Sequence, residues 1–148
     1  MKIFFNVLIF LLLGSNVVAQ STKMDALKRD FIMKLLNKQA DDWNKGDIRA
    51  FMEGYWKSDS LKFIGKNGVT KGWQATFDNY KKRYPTKEAM GKLTFDIQSI
   101  DILDINLAFV VGKWDLARDG EMKSVGGYFS LVMRRILGNW VIISDHTS

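Results

Sequence analysis

An abrupt change of hydrophobic period constrains this chain most. Up to Pro85, the only proline, apolar residues recur mostly at helical spacing, three and four apart. Beyond it, runs rich in Val, Ile, Phe and Trp are punctuated by turn residues, the pattern of strands joined by tight connections. Helices first and strands afterwards predict an α+β domain, with the helices gathered on one face of a single sheet.

The spacing predicts a helix over about Thr22 to Lys45, in which Ile32, Leu36, Ala40 and Trp43 form the buried row. Asn44-Lys45-Gly46 ends it, and Asp47 caps a short second helix from about Ile48 to Tyr55. Ser60 to Ile64 reads as a strand and Lys66-Asn67-Gly68 as a turn. A third helix runs from Trp73 to Arg83, with Trp73, Phe77, Tyr80 and Tyr84 on its inner side, and Pro85 stops it. Strands are expected over Leu93 to Leu103, Leu107 to Arg118, Val125 to Leu137 and Trp140 to Thr147. Asp119-Gly120 and Gly138-Asn139 are the hairpin signals between them.

The start of the chain stands apart. Met1-Lys2 is positive, Ile3 to Leu13 is apolar except for Asn6, and Val17-Val18-Ala19 offers a small residue for cleavage. This pattern is that of a secretory signal peptide over residues 1–19, too short to span a bilayer comfortably. A single domain over residues 20–148 is expected, exported to the periplasm or the medium and free of the membrane after cleavage. With no cysteine, neither a lipid-anchored N-terminus nor a disulfide is available, so stability rests on packing. A net charge of +6 and a pI near 9.5 raise the question of nucleic acid. The cations are interspersed with acids except at Lys81-Lys82-Arg83 and Arg134-Arg135. We read them as solvated surface charge and expect no nucleic-acid partner.

Two helices, a short strand, a third helix and a run of long strands resemble the nuclear-transport-factor-2-like superfamily. Trp43-Asn44-Lys45-Gly46-Asp47 is similar to the end of that family's first helix, and Tyr55 to Gly65 to its helix-to-strand passage. Gly112-Lys113-Trp114, Gly126-Gly127-Tyr128-Phe129 and the ending Trp140 to Ser148 are similar to its long strands, most of all in the SnoaL-like group. The resemblance implies a cone: a curved antiparallel sheet packed against three N-terminal helices, the cystatin-like or nuclear-transport-factor-2-like architecture.

Fold alone does not specify chemistry, so the family's reactions are tested residue by residue. The steroid isomerases of this fold use a carboxylate base with a tyrosine and a protonated acid. The positions that match fall near Gln39 and Ile64, and no Asp or Glu occurs between Met122 and Ser144. The paired histidines of the dehydratases are reduced to His146. The Asp-Arg-Asp relay of the epoxide hydrolases is not matched by Arg118-Asp119, which as strand neighbours face opposite ways. Asp41-Asp42 diverge by about 100° on a helix and make no metal pair. No serine elbow, thiol nucleophile or phosphate loop occurs, and no cofactor is expected.

Aromatic residues suggest a pocket. Trp43, Tyr55, Phe63, Tyr80, Trp114 and Phe129 come from elements that converge inside a cone, and glycines beside Trp114 and Phe129 leave room. These six and His146 are the candidate binding residues for a small apolar or amphipathic molecule. His146, the sole histidine, is also the candidate catalytic acid or base, since histidine is the side chain suited to proton transfer near neutral pH, with strand alternation turning Asp145 away from it. The leading expectation is an exported ligand-binding domain. The alternatives are an isomerase, cyclase or hydrolase working through His146, and a structural or interaction module with a filled cone. Trp140 and Ile142 face one way and Val141 and Ile143 the other. A sheet apolar on both faces needs a second cover, and family members often pair through the outer face, so a homodimer is expected.

Overall fold

A computed structural model describes residues 3–119 and 123–148, with side chains from residue 20 onward. The expected leader, residues 1–19, falls wholly outside the described side chains. So does the glycine of the Asp119-Gly120 turn. The described elements are helix α1 (Ile3–Asn44), α2 (Ile48–Met52), β1 (Lys62–Gly65), β2 (Gly68–Lys71), α3 (Trp73–Arg83), α4 (Lys87–Met90), β3 (Lys92–Asp104), β4 (Leu107–Ala117), β5 (Val125–Ile136) and β6 (Asn139–Thr147).

The six strands form one sheet in the order β2-β1-β6-β5-β4-β3. Neighbours pair antiparallel except β1 and β6, which run parallel. The expected α+β architecture holds, with additions that the sequence reading lacked. Lys66-Asn67-Gly68 joins β1 to a second short strand, and the segment after Pro85 forms α4, capped by Thr86. The second helix stops at Met52 rather than Tyr55. Tyr55 instead makes a strand-like bridge to Ile142, and the Trp56 amide donates to the Ile142 carbonyl at 2.9 Å.

The core lies between α1, α2, α3 and the concave sheet face. Ile32, Leu36 and Trp43 are buried as the helical period predicts, against Val110, Leu131, Met133 and Ile142 from the strands. Asn44 fixes the end of α1 to the start of β3. Its amide nitrogen donates to the Leu93 carbonyl at 2.9 Å, and its oxygen accepts from the Leu93 amide at 2.7 Å. The side chain thus supplies β3 with the donor and acceptor that a neighbouring strand would offer.

Bulges decide which residues face inward. On β3 the register slips between Ile97 and Ser99, so Leu93, Phe95 and Ile97 face the core and, beyond Gln98, Ile100 and Ile102 do. On β6 Met133 pairs with Ile142 while the next residue of β5, Val132, pairs with Ser144. Ile143 is the extra residue, and a single extra residue inverts every facing after it.

That inversion corrects the placement of His146. Strict alternation from Trp140 and Ile142 sends Ser144 and His146 inward. With the bulge, Asp145 and Thr147 turn in, and His146 lies exposed on the other face, paired between Ile64 and Ser130. The bulge falls where the edge partner of β6 changes. The bridge to Tyr55 ends there, and parallel pairing with β1 begins at Ser144.

Candidate functional site: an aromatic cavity around Asp145

The concave face encloses a cavity of about 770 Å³, inside the size range of small-molecule sites. Trp43, Tyr55, Phe63, Tyr80, Trp114 and Phe129, the six aromatic candidates, all lie on its wall. His146 does not.

The aromatic wall is a cluster of edge-on contacts. Trp43 meets Phe51, Tyr80 and Tyr84 with ring centres 5.1, 5.9 and 4.9 Å apart, and Phe63 meets Tyr80 at 5.7 Å. Such T-shaped pairs add to the burial energy of each ring and hold the wall in one arrangement. The Trp43 indole is further tied by its N–H to the Met90 carbonyl at 3.2 Å.

Glycines here accommodate rings rather than leave a gap. A Cβ on Gly112 would stand 2.5 Å from the Phe129 ring, and one on Gly127 would strike the Ser148 carbonyl oxygen before it reached the Trp114 indole nitrogen at 3.1 Å. A Cβ on Gly54 would stand 2.5 Å from the Gln39 amide, whose nitrogen donates to the Phe51 carbonyl at 2.9 Å. Gln39 therefore uses one amide N–H to hold α2 to α1.

The chemically distinctive group is Asp145, buried to 5% exposure. The Tyr55 hydroxyl donates to its Oδ2 at 2.7 Å, and Tyr80 interacts electrostatically with both groups. Burial removes water from the carboxylate and pushes Asp145 from 3.8 up to about 7, while the Tyr55 hydrogen bond pulls the other way. Burial and the neighbouring carboxyl raise both tyrosines, which stay neutral donors. Among the described residues, Asp145 Oδ1 and the Trp114 Nε1 are buried polar atoms without a hydrogen-bond partner.

The two residues sit well apart in the sheet. Asp145 pairs with Leu131, Leu131 lies four residues along β5 from Gly127, and Gly127 pairs with Trp114. At about 4.8 Å per strand and 3.3 Å per residue, the two backbone positions are on the order of 15 Å apart. The rest of the wall is apolar inside, with Leu36, Leu93, Leu116 and Leu131, and polar at the rim. Lys66, Asn67 and Thr70 come from the β1–β2 hairpin, and Asn79, Lys82 and Arg83 from α3. Among the described residues no group of three His, Cys, Asp or Glu stands together to hold a metal ion.

Sequence reasoning missed Asp145 through facing, not through residue type. A lone carboxyl in the run Val141 to Thr147 was visible, but the bulge at Ile143 has no local signature there. The aspartate marked itself only by being the one acid on its strand.

No family model matches the sequence, and no curated protein matches it. Solved structures do. An NTF-2-like protein of unknown function from Shewanella oneidensis MR-1 is 41% identical, with a TM-score of 0.78 over 82% of this chain and 98% of that one. An NTF2-like superfamily protein from Salmonella enterica serovar Typhimurium LT2 is 20% identical, with a TM-score of 0.67 over 84% and 92%. A ketosteroid isomerase-like protein from Erwinia carotovora atroseptica SCRI1043 is 16% identical, with a TM-score of 0.64 over 80% and 93%, and shares the fold. On the strength of the Shewanella relative, the chain belongs to the nuclear-transport-factor-2-like family.

Proposed function

We propose that this protein is a binding domain for a small, largely apolar molecule held in the cone. The observation that carries the proposal is the pairing of an aromatic-walled cavity with two buried, unpartnered polar atoms of different kind, Asp145 Oδ1 and Trp114 Nε1. Leaving buried polar groups unmatched costs about 1–3 kcal/mol each. A ligand that matches them recovers that free energy, and the aromatic wall supplies the rest of the affinity.

Ligands that bind only the folded state raise the melting temperature in proportion to their occupancy. A thermal-shift screen with apolar and amphipathic molecules should give saturable shifts. Trp114→Phe, which keeps an aromatic ring but removes the N–H with the second ring, should weaken the best ligand several-fold. A broad library without any shift would sink the binding reading and favour an interaction module.

A second reading is proton transfer, with Asp145 in the acid–base role that the sequence had assigned to His146. A carboxyl that titrates near neutrality beside a neutral tyrosine suits that work. Asp145→Asn should abolish turnover of any substrate found while leaving its binding, and retained turnover would exclude this role.

Export remains part of the proposal, supported by the charged start, apolar run and small-residue cleavage site of residues 1–19. Secretion from a bacterial host should yield a chain beginning at Gln20. A cell-associated chain still beginning at Met1 would contradict it.

A further inference from the structure

The charged side chains at the mouth of the cavity are all cations. Lys66 comes from the β1–β2 turn, and Lys82 and Arg83 from the last turn of α3, so two separate elements bring three cations to one opening. All three are exposed, and among the described residues none takes part in an ion pair. Arg83 packs its guanidinium 5.7 Å from the centre of the Tyr84 ring. Inside, the one acidic side chain on the cavity wall is Asp145, which pairs with Phe63 on β1, three residues before Lys66 of the hairpin turn. Low-dielectric walls around an opening lined by one sign of charge focus its field on whatever enters.

Resting on the binding reading above, we infer that the ligand is an amphipathic anion: an aromatic or otherwise rigid apolar body with one carboxylate, sulfonate or phosphate end. The body lies against Phe63, Tyr80, Trp114 and Phe129, the anionic end stays at the mouth with Lys66, Lys82 and Arg83, and a neutral polar group on the inner end meets Asp145. Two features of the site select against other classes. A cation at the mouth would face three like charges. A second anionic group at the inner end would face the Asp145 carboxyl without water to screen it.

The groups around Asp145 support the same polarity. From the chain after α2 it faces Tyr55, and from α3 it faces Tyr80, both neutral. Its strand partners are Leu131 on β5 and Phe63 on β1, both apolar. The inner end therefore holds no cation that would draw an anionic group past the mouth.

A matched pair of dyes tests this on the full chain. Anilinonaphthalene sulfonate is an anion, and N-phenylnaphthylamine has the same aromatic body without the sulfonate. Both brighten on entering an apolar site. The anion should bind about tenfold tighter at low salt, and its advantage should shrink as salt screens the mouth. The double change Lys82→Gln with Arg83→Gln, at exposed positions, should remove most of that advantage and leave the neutral dye unaffected. If the neutral dye binds as tightly as the anion, or the double change leaves the preference intact, the anionic inference is overturned while binding itself stands. Leu131→Phe, which fills the cavity from β5, separates the two failures. If neither dye loses affinity on that change, the dyes are not in the cavity and the binding reading falls with the inference. The comparison of the two dyes on the unaltered chain needs no variant to fold.

Discussion

At Asp145 the balance of forces is plain enough to predict. In the unfolded chain its carboxyl loses its proton near 3.8, and in the folded chain it holds the proton up to about 7. Between those values the folded state binds the extra proton, so unfolding releases one and stability falls as pH rises. The favourable contribution is whole below about pH 4 and is lost as pH passes through about 7, after which the curve flattens. One group contributes a slope of at most about 1.4 kcal/mol per pH unit. Denaturant titrations of the protein and of Asp145→Asn should show this decline in the former and its absence in the latter. Parallel curves for the two would refute the buried-acid account. Tyr55→Phe carries a second prediction. The Tyr55 hydrogen bond stabilises the charged carboxylate, so its loss should move the Asp145 titration above about 7, read from the side-chain carboxyl resonance. A downward movement would mean that burial is not the dominant cause.

Among the elements, the joints carry the testable claims. Asn44 makes two hydrogen bonds across to Leu93. At about 1 kcal/mol each, Asn44→Ala should cost about 2 kcal/mol of unfolding free energy, and Asn44→Asp, which keeps only the acceptor, should recover part of it. A loss under about 0.5 kcal/mol would show that α1 is held to β3 by packing alone. The β5–β6 hairpin offers the opposite kind of change. Its two turn residues, Leu137 and Gly138, lie between paired Ile136 and Asn139 with φ of 49° and 84°. Such a turn favours Asn or Gly at its first position, whereas a left-handed leucine costs about 1 kcal/mol or more. Leu137 is 97% exposed, so no packing is lost on replacing it. Leu137→Asn should raise the melting temperature by a few degrees, and a fall would mean that the leucine is covered in solution. The sequence pointed to a turn here, but one residue too late. The glycine was legible, and the leucine before it carries no turn signal.

For the molecule as a whole, the outer sheet face bears on assembly. Phe109, Val111, Val132 and Val141 are half-buried there, Phe109 directly beside Val132 across β4 and β5. The expected homodimer through this face remains a proposal, supported by that apolar row. Light scattering on the purified chain should report a dimer, and Val132→Lys a monomer of unchanged fold. A monomer before the change would remove the proposal. The helix positions, the strand runs and the aromatic set of the cavity were legible because each rests on local periodicity. Ile32, Leu36 and Trp43 follow the helical repeat, and Leu116, Trp114 and Gly112 the strand repeat, without reference to any distant residue. Which end of Asp145-His146 enters the cavity was not legible. It depends on one extra residue at Ile143, and that residue is set by where β6 leaves the Tyr55 bridge and takes up β1. The sequence by itself determined the α+β order, the helical face and the aromatic lining. Tertiary structure alone decided the facing of β6, since strand pairing between segments some eighty residues apart selects the bulge, and with it a buried carboxyl in place of a histidine.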